Sequence, residues 1–370
     1  MEQLYQIGPI GAARPGIPSA SAGLGAFVRS GGSPAAQPDE TPSRLVDAFG
    51  RHLTYLRVSV TDRCNLRCVY CLPEDAEFPF GDRDFLSPEE IEALVGSLVR
   101  LGIRRVRLTG GEPLVRKDLL EIVRRIKALP GVEDLSLSTN GTELARRAPA
   151  LKAAGLDRVN VSLDTLDPEE FARIARRGEL DQVWRGVEAA LDAGLSPVKL
   201  NSVLLADGKL QEIERLAALT IDRPLSVRFI EMMPTPANRA LVVGRLTCDT
   251  VRTRLEQRWG PLEEVAGDRP RTGPAQAFRF AGAKGEIGFI TPLSHTFCAD
   301  CNRLRLTSRG ELRLCLFDER NHPLRHLLDE PNPGKALEEE ILRVLQEKPA
   351  EHLLLQGNSG NLASFMSIGG

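Results

Sequence analysis

The chain has 370 residues, 42% hydrophobic and 26% charged, which is enough apolar material for a large core and weighs against wholesale disorder. With 48 basic against 50 acidic residues there is no polybasic footprint, so nucleic acid is disfavoured as the main partner. No window approaches the roughly eighteen apolar residues of a membrane span. The opening Met1-Glu2-Gln3-Leu4 lacks the basic flank of a signal peptide, and the chain reads as cytoplasmic.

Residues 1–44 are rich in Gly, Ala, Pro and Ser and carry no apolar period; they predict a disordered extension. From there strands and helices alternate. The first strand covers 56–60. Ser87-Pro88-Glu89-Glu90 caps a helix that runs to 101. Strands follow at 106–109, 135–139, 158–163, 198–204 and 226–232. Helices fall between them at 117–129, 144–153, 180–193 and 210–219. Six strands with helical crossovers predict an α/β fold on a mostly parallel sheet, either open and doubly wound or an incomplete barrel. Both architectures place ligands at the C-terminal ends of the strands. After 234 the rhythm breaks into a helix at 248–258, a loop-like stretch at 263–284, short strands near 287–290, 304–307 and 312–316, and a helix at 335–347. This separates a core at 45–234 from a smaller C-terminal region at 235–370.

Six of the seven cysteines form two trios, Cys64-x3-Cys68-x2-Cys71 and Cys298-x2-Cys301-x13-Cys315, and Cys248 stands alone. Reduced, clustered thiols read as metal ligands. Three thiolates can hold three corners of a [4Fe–4S] cube and leave one iron open. The alternative at the first trio is a zinc loop completed from a distance. At the second it is zinc completed by His295. Thr109-Gly110-Gly111-Glu112-Pro113 ends the second strand, either as a tight turn or as a close approach to a ligand. Ser138-Thr139-Asn140 and Ser162-Leu163-Asp164 end the third and fourth strands. Arg57, Arg107, Lys199 and Arg228 lie on strands, and Arg303 and Arg305, two apart, share one strand face. So many cations suit a polyphosphate, although Lys199 and Arg228 could instead pair internally with Glu231 or Asp164.

The first trio, with Tyr70 before its last cysteine, resembles the radical S-adenosylmethionine superfamily. That resemblance implies a six-stranded partial TIM-like barrel. The combination with the second trio is similar to the GTP 3′,8-cyclases, the molybdenum-cofactor biosynthesis protein A family, over about residues 45–370. The matching stretches are 56–65, 228–233 and 297–303, together with the terminal Gly369-Gly370. The family resemblance implies two [4Fe–4S] clusters, one held by Cys64, Cys68 and Cys71 and the other by Cys298, Cys301 and Cys315. It implies S-adenosylmethionine contacts at Tyr70, Gly111, Glu112, Ser162 and Met233. GTP contacts are implied at Arg57, Arg107, Ser138, Lys199, Arg228, Arg303 and Arg305, and Gly369 and Gly370 are implied to reach the active site. A 5′-deoxyadenosyl radical would remove the 3′ hydrogen of GTP, and the ribose radical would close on C8. A one-electron reductant, a homodimer and delivery of product to the cyclic pyranopterin monophosphate synthase are further implications. The tail Met366-Ser367-Ile368-Gly369-Gly370 is one residue shorter than the family pattern. The rival enzyme is a peptide-modifying member of the superfamily. The non-enzymatic rival is an iron–sulfur or zinc protein that binds a nucleotide.

Overall fold

Alternation along each strand decides which side chains face the helices and which face the opposite side. The computed structural model describes residues 44–78, 81–242, 244, 246–265, 273–361 and 365. Apart from Arg44, the N-terminal extension lies outside the described residues, as do Gly369 and Gly370. β1 (Tyr55–Ser59), β2 (Arg105–Thr109), β3 (Asp134–Thr139), β4 (Arg158–Ser162), β5 (Val198–Leu204) and β6 (Leu225–Glu231) lie side by side in chain order, all parallel. The crossovers are α1 (Pro88–Leu101), α2 (Leu119–Ala128), α3 (Leu144–Ala153), α4 (Pro168–Ala175), α5 (Leu180–Asp192) and α6 (Leu210–Asp222).

The sheet is wider than the six strands expected. After α7 (Cys248–Trp259), β7 (Leu262–Glu264), β8 (Gln276–Phe280) and β9 (Glu286–Ile290) join one edge, and β9 runs parallel to β6. β10 (Arg303–Leu306), β11 (Glu311–Arg313) and β12 (His322–Pro323) join the other edge, and β10 runs parallel to β1. The result is a twelve-stranded sheet in the order β12-β11-β10-β1-β2-β3-β4-β5-β6-β9-β8-β7. The C-terminal strands therefore continue the core sheet on both sides. α8 (Pro333–Leu345) packs on α1.

Four elements escaped the sequence pattern. β7 and β12 are too short to show a period. β8 sits in the stretch read as loop-like and is held by pairing with β7 and β9. α4 had a legible start: Asp167 caps it by accepting from the Glu170 N–H at 2.9 Å, and Pro168 follows at the first helical position.

One face of the parallel strands is mainly apolar. Leu56, Val58, Val106, Leu108, Leu135, Leu137, Val159, Val161, Leu200, Val227 and Phe229 are fully buried there. The opposite face carries Arg57, Arg107, Ser136, Asn160, Lys199 and Arg228, neighbours or near-neighbours in register. The apolar face meets the helices, so what remains is a buried polar face. Phe229 packs against Phe289 at a ring separation of 6.2 Å. Phe229→Ala should lower unfolding free energy by about 3–5 kcal/mol. Denaturant titration of the cofactor-free protein checks this, and a loss under about 1 kcal/mol would show that the helix face is not close-packed there.

Candidate functional site

The first cysteine trio lies in the loop after β1, and its backbone is pinned on three sides. The Arg67 and Val69 N–H groups donate to Ala175 and Ile174 at the end of α4, at 3.1 and 2.9 Å. Gly111 and Glu112 donate to the Thr61 and Arg63 carbonyls at 2.8 and 2.7 Å. A Cβ at Gly111 would stand 2.2 Å from Arg63 O, and one at Gly110, where φ is +146°, 2.3 Å from Thr61 O. These glycines are thus required by close backbone contact between the β2 end and the cysteine loop, which sharpens the turn-or-ligand choice open in the sequence. Asn140, Asn65 and Thr142 form a closed side-chain network beside Cys64.

Cys64, Cys68, Cys71, Tyr70, Gly111, Glu112, Ser138, Ser162, Met233 and Phe365 line one cavity of about 200 Å³ at the strand ends. Glu112, 1% exposed, accepts from Leu114 N, Thr139 Oγ1 and Asn140 N at 2.6–2.9 Å, and burial raises its carboxyl to about 7. The Tyr70 hydroxyl donates to Asp164 at 2.8 Å. Burial lifts the Cys64 thiol to about 11 and Cys71 to about 12, and holds Cys68 well above its usual value. Asn238, which the sequence did not single out, donates to the Tyr70 and Met233 carbonyls at 3.0 and 3.1 Å and so ties the loop to the β6 end.

Arg57, Arg107, Arg228, Arg303, Arg305, Cys298, Cys301 and Cys315 line a second cavity of about 150 Å³. Asn201, Ile230 and Met233 line both, so the two cavities adjoin. Burial, with Arg107 and Arg158 behind it, lowers Arg228 to about 9. Burial, with Arg228, Arg158 and Arg107, drives Lys199 down to about 6. Neither Lys199 nor Arg228 has an ion pair among the described residues. The suggested partners are engaged elsewhere: Glu231 accepts from Leu293 N, Ser294 N and the Ser294 hydroxyl, and Asp164 from Tyr70 and Val203 N.

The second trio is braced by a buried ion pair. Arg51 meets Asp47 at 2.6 Å and donates to the Cys298, Pro349 and Ala350 carbonyls. Lys348, 3% exposed, donates to the Arg303 carbonyl at 3.2 Å and to that of Leu314. Burial opposes ionisation of Cys301, yet Arg303 and Lys348 bring its thiol down to about 6. Isolated buried cations give no periodic signal, so neither Arg51 nor Lys348 was legible in the sequence.

Not every expected residue gathers in its expected place. Ser138 lines the first cavity, not the cationic one, and Lys199 lines neither but lies beside the arginines. His295 is exposed and faces Asp249 at 3.0 Å, away from the zinc role considered for it. Cys248 is buried at the start of α7, with its sulfur on the Phe229 and Ile290 carbonyls. Among the described residues no three His, Cys, Asp or Glu side chains are grouped to hold a single metal ion. No helix among them is long and apolar enough to cross a membrane.

A family model described as the Radical SAM superfamily matches residues 58–220, and one described as Molybdenum Cofactor Synthesis C matches 225–354. The chain is 46% identical to a GTP 3′,8-cyclase of Pelotomaculum thermopropionicum over 315 residues, 85% of this chain and 96% of that one. It is likewise 46% identical to a GTP 3′,8-cyclase of Heliobacterium modesticaldum over 329 residues, 88% of this chain and 100% of that one. Among solved structures, Streptococcus suis SuiB bound to precursor peptide SuiA has a TM-score of 0.57 at 14% identity, covering 81% of this chain and 66% of that one. SuiB bound to S-adenosylmethionine has a TM-score of 0.53 at 14% identity, covering 81% and 76%. These neighbours share the radical SAM partial-barrel architecture.

Lys199 titrates near 10.5 when exposed and at about 6 in the fold. Between those values the unfolded chain holds the extra proton, so stability rises with pH across that window. Lys199→Met should therefore raise the urea midpoint of the ligand-free protein at pH 7, with the gain shrinking toward pH 10. A gain that does not change with pH would show that the ammonium is not desolvated.

Proposed function

We propose, from the premise that the chain belongs to the GTP 3′,8-cyclase family of the radical S-adenosylmethionine superfamily, that it converts GTP to (8S)-3′,8-cyclo-7,8-dihydroguanosine 5′-triphosphate. The reaction is the first step of molybdenum cofactor biosynthesis and makes the protein a lyase. One observation carries this reading: a cavity walled by five arginines and one cysteine trio adjoins a cavity walled by the other trio.

Each cavity is lined by three thiols, which is the donor chemistry a [4Fe–4S] cube with one open iron asks for. A cube also puts each thiolate on a different iron, so its ligands need not crowd as they would around one ion. Cys64, Cys68 and Cys71 would hold the first cluster, and Cys298, Cys301 and Cys315 the second. When bound, the first cluster with S-adenosylmethionine would supply the electron and the radical chemistry, and the second would supply a Lewis-acidic iron on the substrate side.

The protein's own share is placement and charge. Tyr70, Gly111, Glu112, Ser162 and Met233 shape the S-adenosylmethionine site. Glu112 is a fixed acceptor there, since three donors already lock its carboxylate. Arg57, Arg107, Arg228, Arg303 and Arg305 neutralise the triphosphate, and guanidinium forks suit phosphate oxygens. Lys199 regains its proton when the polyanion arrives. Ser138 serves the substrate from the neighbouring cavity wall. Phe365 packs on Phe317 and lines the first cavity, and the family resemblance gives the Gly369-Gly370 end of the chain a part in the reaction. In this scheme 45–234 is the radical-generating core and 235–370 the auxiliary-cluster and GTP-binding region. The protein works in the cytoplasm as a homodimer, takes electrons from a one-electron reductant and passes its product to the cyclic pyranopterin monophosphate synthase.

Anaerobic, reconstituted variants test these roles. Cys64→Ala should abolish both S-adenosylmethionine cleavage and cyclised product. Cys301→Ala should keep cleavage and lose product, and Arg305→Ala should weaken GTP binding by about 10- to 100-fold. Normal product yield from Cys301→Ala would overturn the assignment of the second trio.

A further inference from the structure

Asn160 stands in the middle of β4, 1% exposed, paired in register with Ser138 on one side and Lys199 on the other. It lines the cationic cavity, and neither Nδ2 nor Oδ1 has a hydrogen-bond partner among the described residues. A buried carboxamide with both ends unmet is costly, and a strand interior is better served by a β-branched side chain. Asn201 lies diagonally across on β5, lines both cavities, and has an Oδ1 that is also unmet. Other buried amides near the site are consumed internally. Asn238 spends its oxygen on Thr235 N and its nitrogen on Tyr70 and Met233, and Asn140 is used by Asn65 and Thr142. Of the two unmet amides, Asn160 therefore faces the cationic cavity and Asn201 both cavities.

The chemistry of that vacancy in hydrogen bonding is specific. A phosphate at neutral pH mainly accepts, and the arginines around it only donate. An amide oxygen among them needs a donor, and its nitrogen needs an acceptor. A sugar hydroxyl is both. Resting on the GTP reading above, the sugar is the part of the substrate that must sit at the junction, with its phosphates among the arginines and its reacting carbon turned toward the other cavity. We propose that Asn160, assisted by Asn201, hydrogen-bonds the 2′-hydroxyl of the ribose and is the positioning residue that demands a ribonucleotide.

The test is equilibrium dialysis of GTP and 2′-deoxy-GTP against the anaerobically reconstituted full chain. Wild type should prefer GTP by about tenfold. Asn160→Ala and Asn160→Val should lose that preference by weakening GTP alone and leaving 2′-deoxy-GTP unchanged, as expected for a coupled pair. Asn160→Val should also raise the urea midpoint of the ligand-free protein, because it removes an unmet buried amide; a residue kept only for the fold would lower it. An unchanged GTP preference in both variants overturns the proposal while sparing the GTP reading. Wild-type protein that binds neither nucleotide overturns both.

Discussion

Burial of both faces of one parallel sheet is the constraint from which the site follows. The helices take the apolar face, where Leu56, Val106, Leu135, Val159, Leu200 and Val227 are sealed from solvent. Every second residue must then point the other way, into a space that is also buried. There the chain has placed Arg57, Arg107, Lys199 and Arg228, and β10 adds Arg303 and Arg305 in register with β1. Nearby carboxylates are few and committed: Asp134 holds Arg158, and Glu286 holds Arg279. Like charges in a low-dielectric space repel, and the depressed values of Lys199 and Arg228 record that repulsion after burial itself. A polyanion beside them would relieve it, which is the physical basis of the proposed triphosphate site.

Around this charged face the rest is scaffolding of high precision. Gly110 and Gly111 let the β2 end lie on the cysteine loop, α4 pins that loop from below, and Asn238 ties it to β6. On the other edge Arg51 gathers three carbonyls around the second trio, and Lys348 gathers two. Both trios are thus set on loops whose backbones are held by groups far away in the chain. Rigid support of that kind is what a reaction controlled by distance requires.

Much of this was legible because the sequence writes strongly periodic features twice, once as pattern and once as punctuation. The six central strands and five of their crossovers show alternation or helical spacing, with Ser87 and Pro88 marking a start that the fold uses. Both cysteine trios and the strand-borne cations stand out against apolar surroundings. What failed to show was either short or solitary. β7 and β12 carry too few residues for a period, β8 depends on its partners, and the widening of the sheet to twelve strands follows from non-local pairings, Arg228 with Gly288 and Arg57 with Arg305. Asn160 looks like an ordinary polar strand residue until the structure reveals that nothing among the described residues meets its amide. His295, attractive by its nearness in sequence to Cys298, faces Asp249 instead.

The central claim is that the buried cationic face exists to hold a triphosphate. Comparing the affinities of the ligand-free full chain for GTP and for guanosine tests it most directly. The account predicts that the triphosphate accounts for at least about a hundredfold in affinity, as two or more charge-assisted contacts would give, and that this advantage falls as salt rises. Equal affinity for GTP and guanosine would contradict it, and the arginines would then have to be explained without a polyanion.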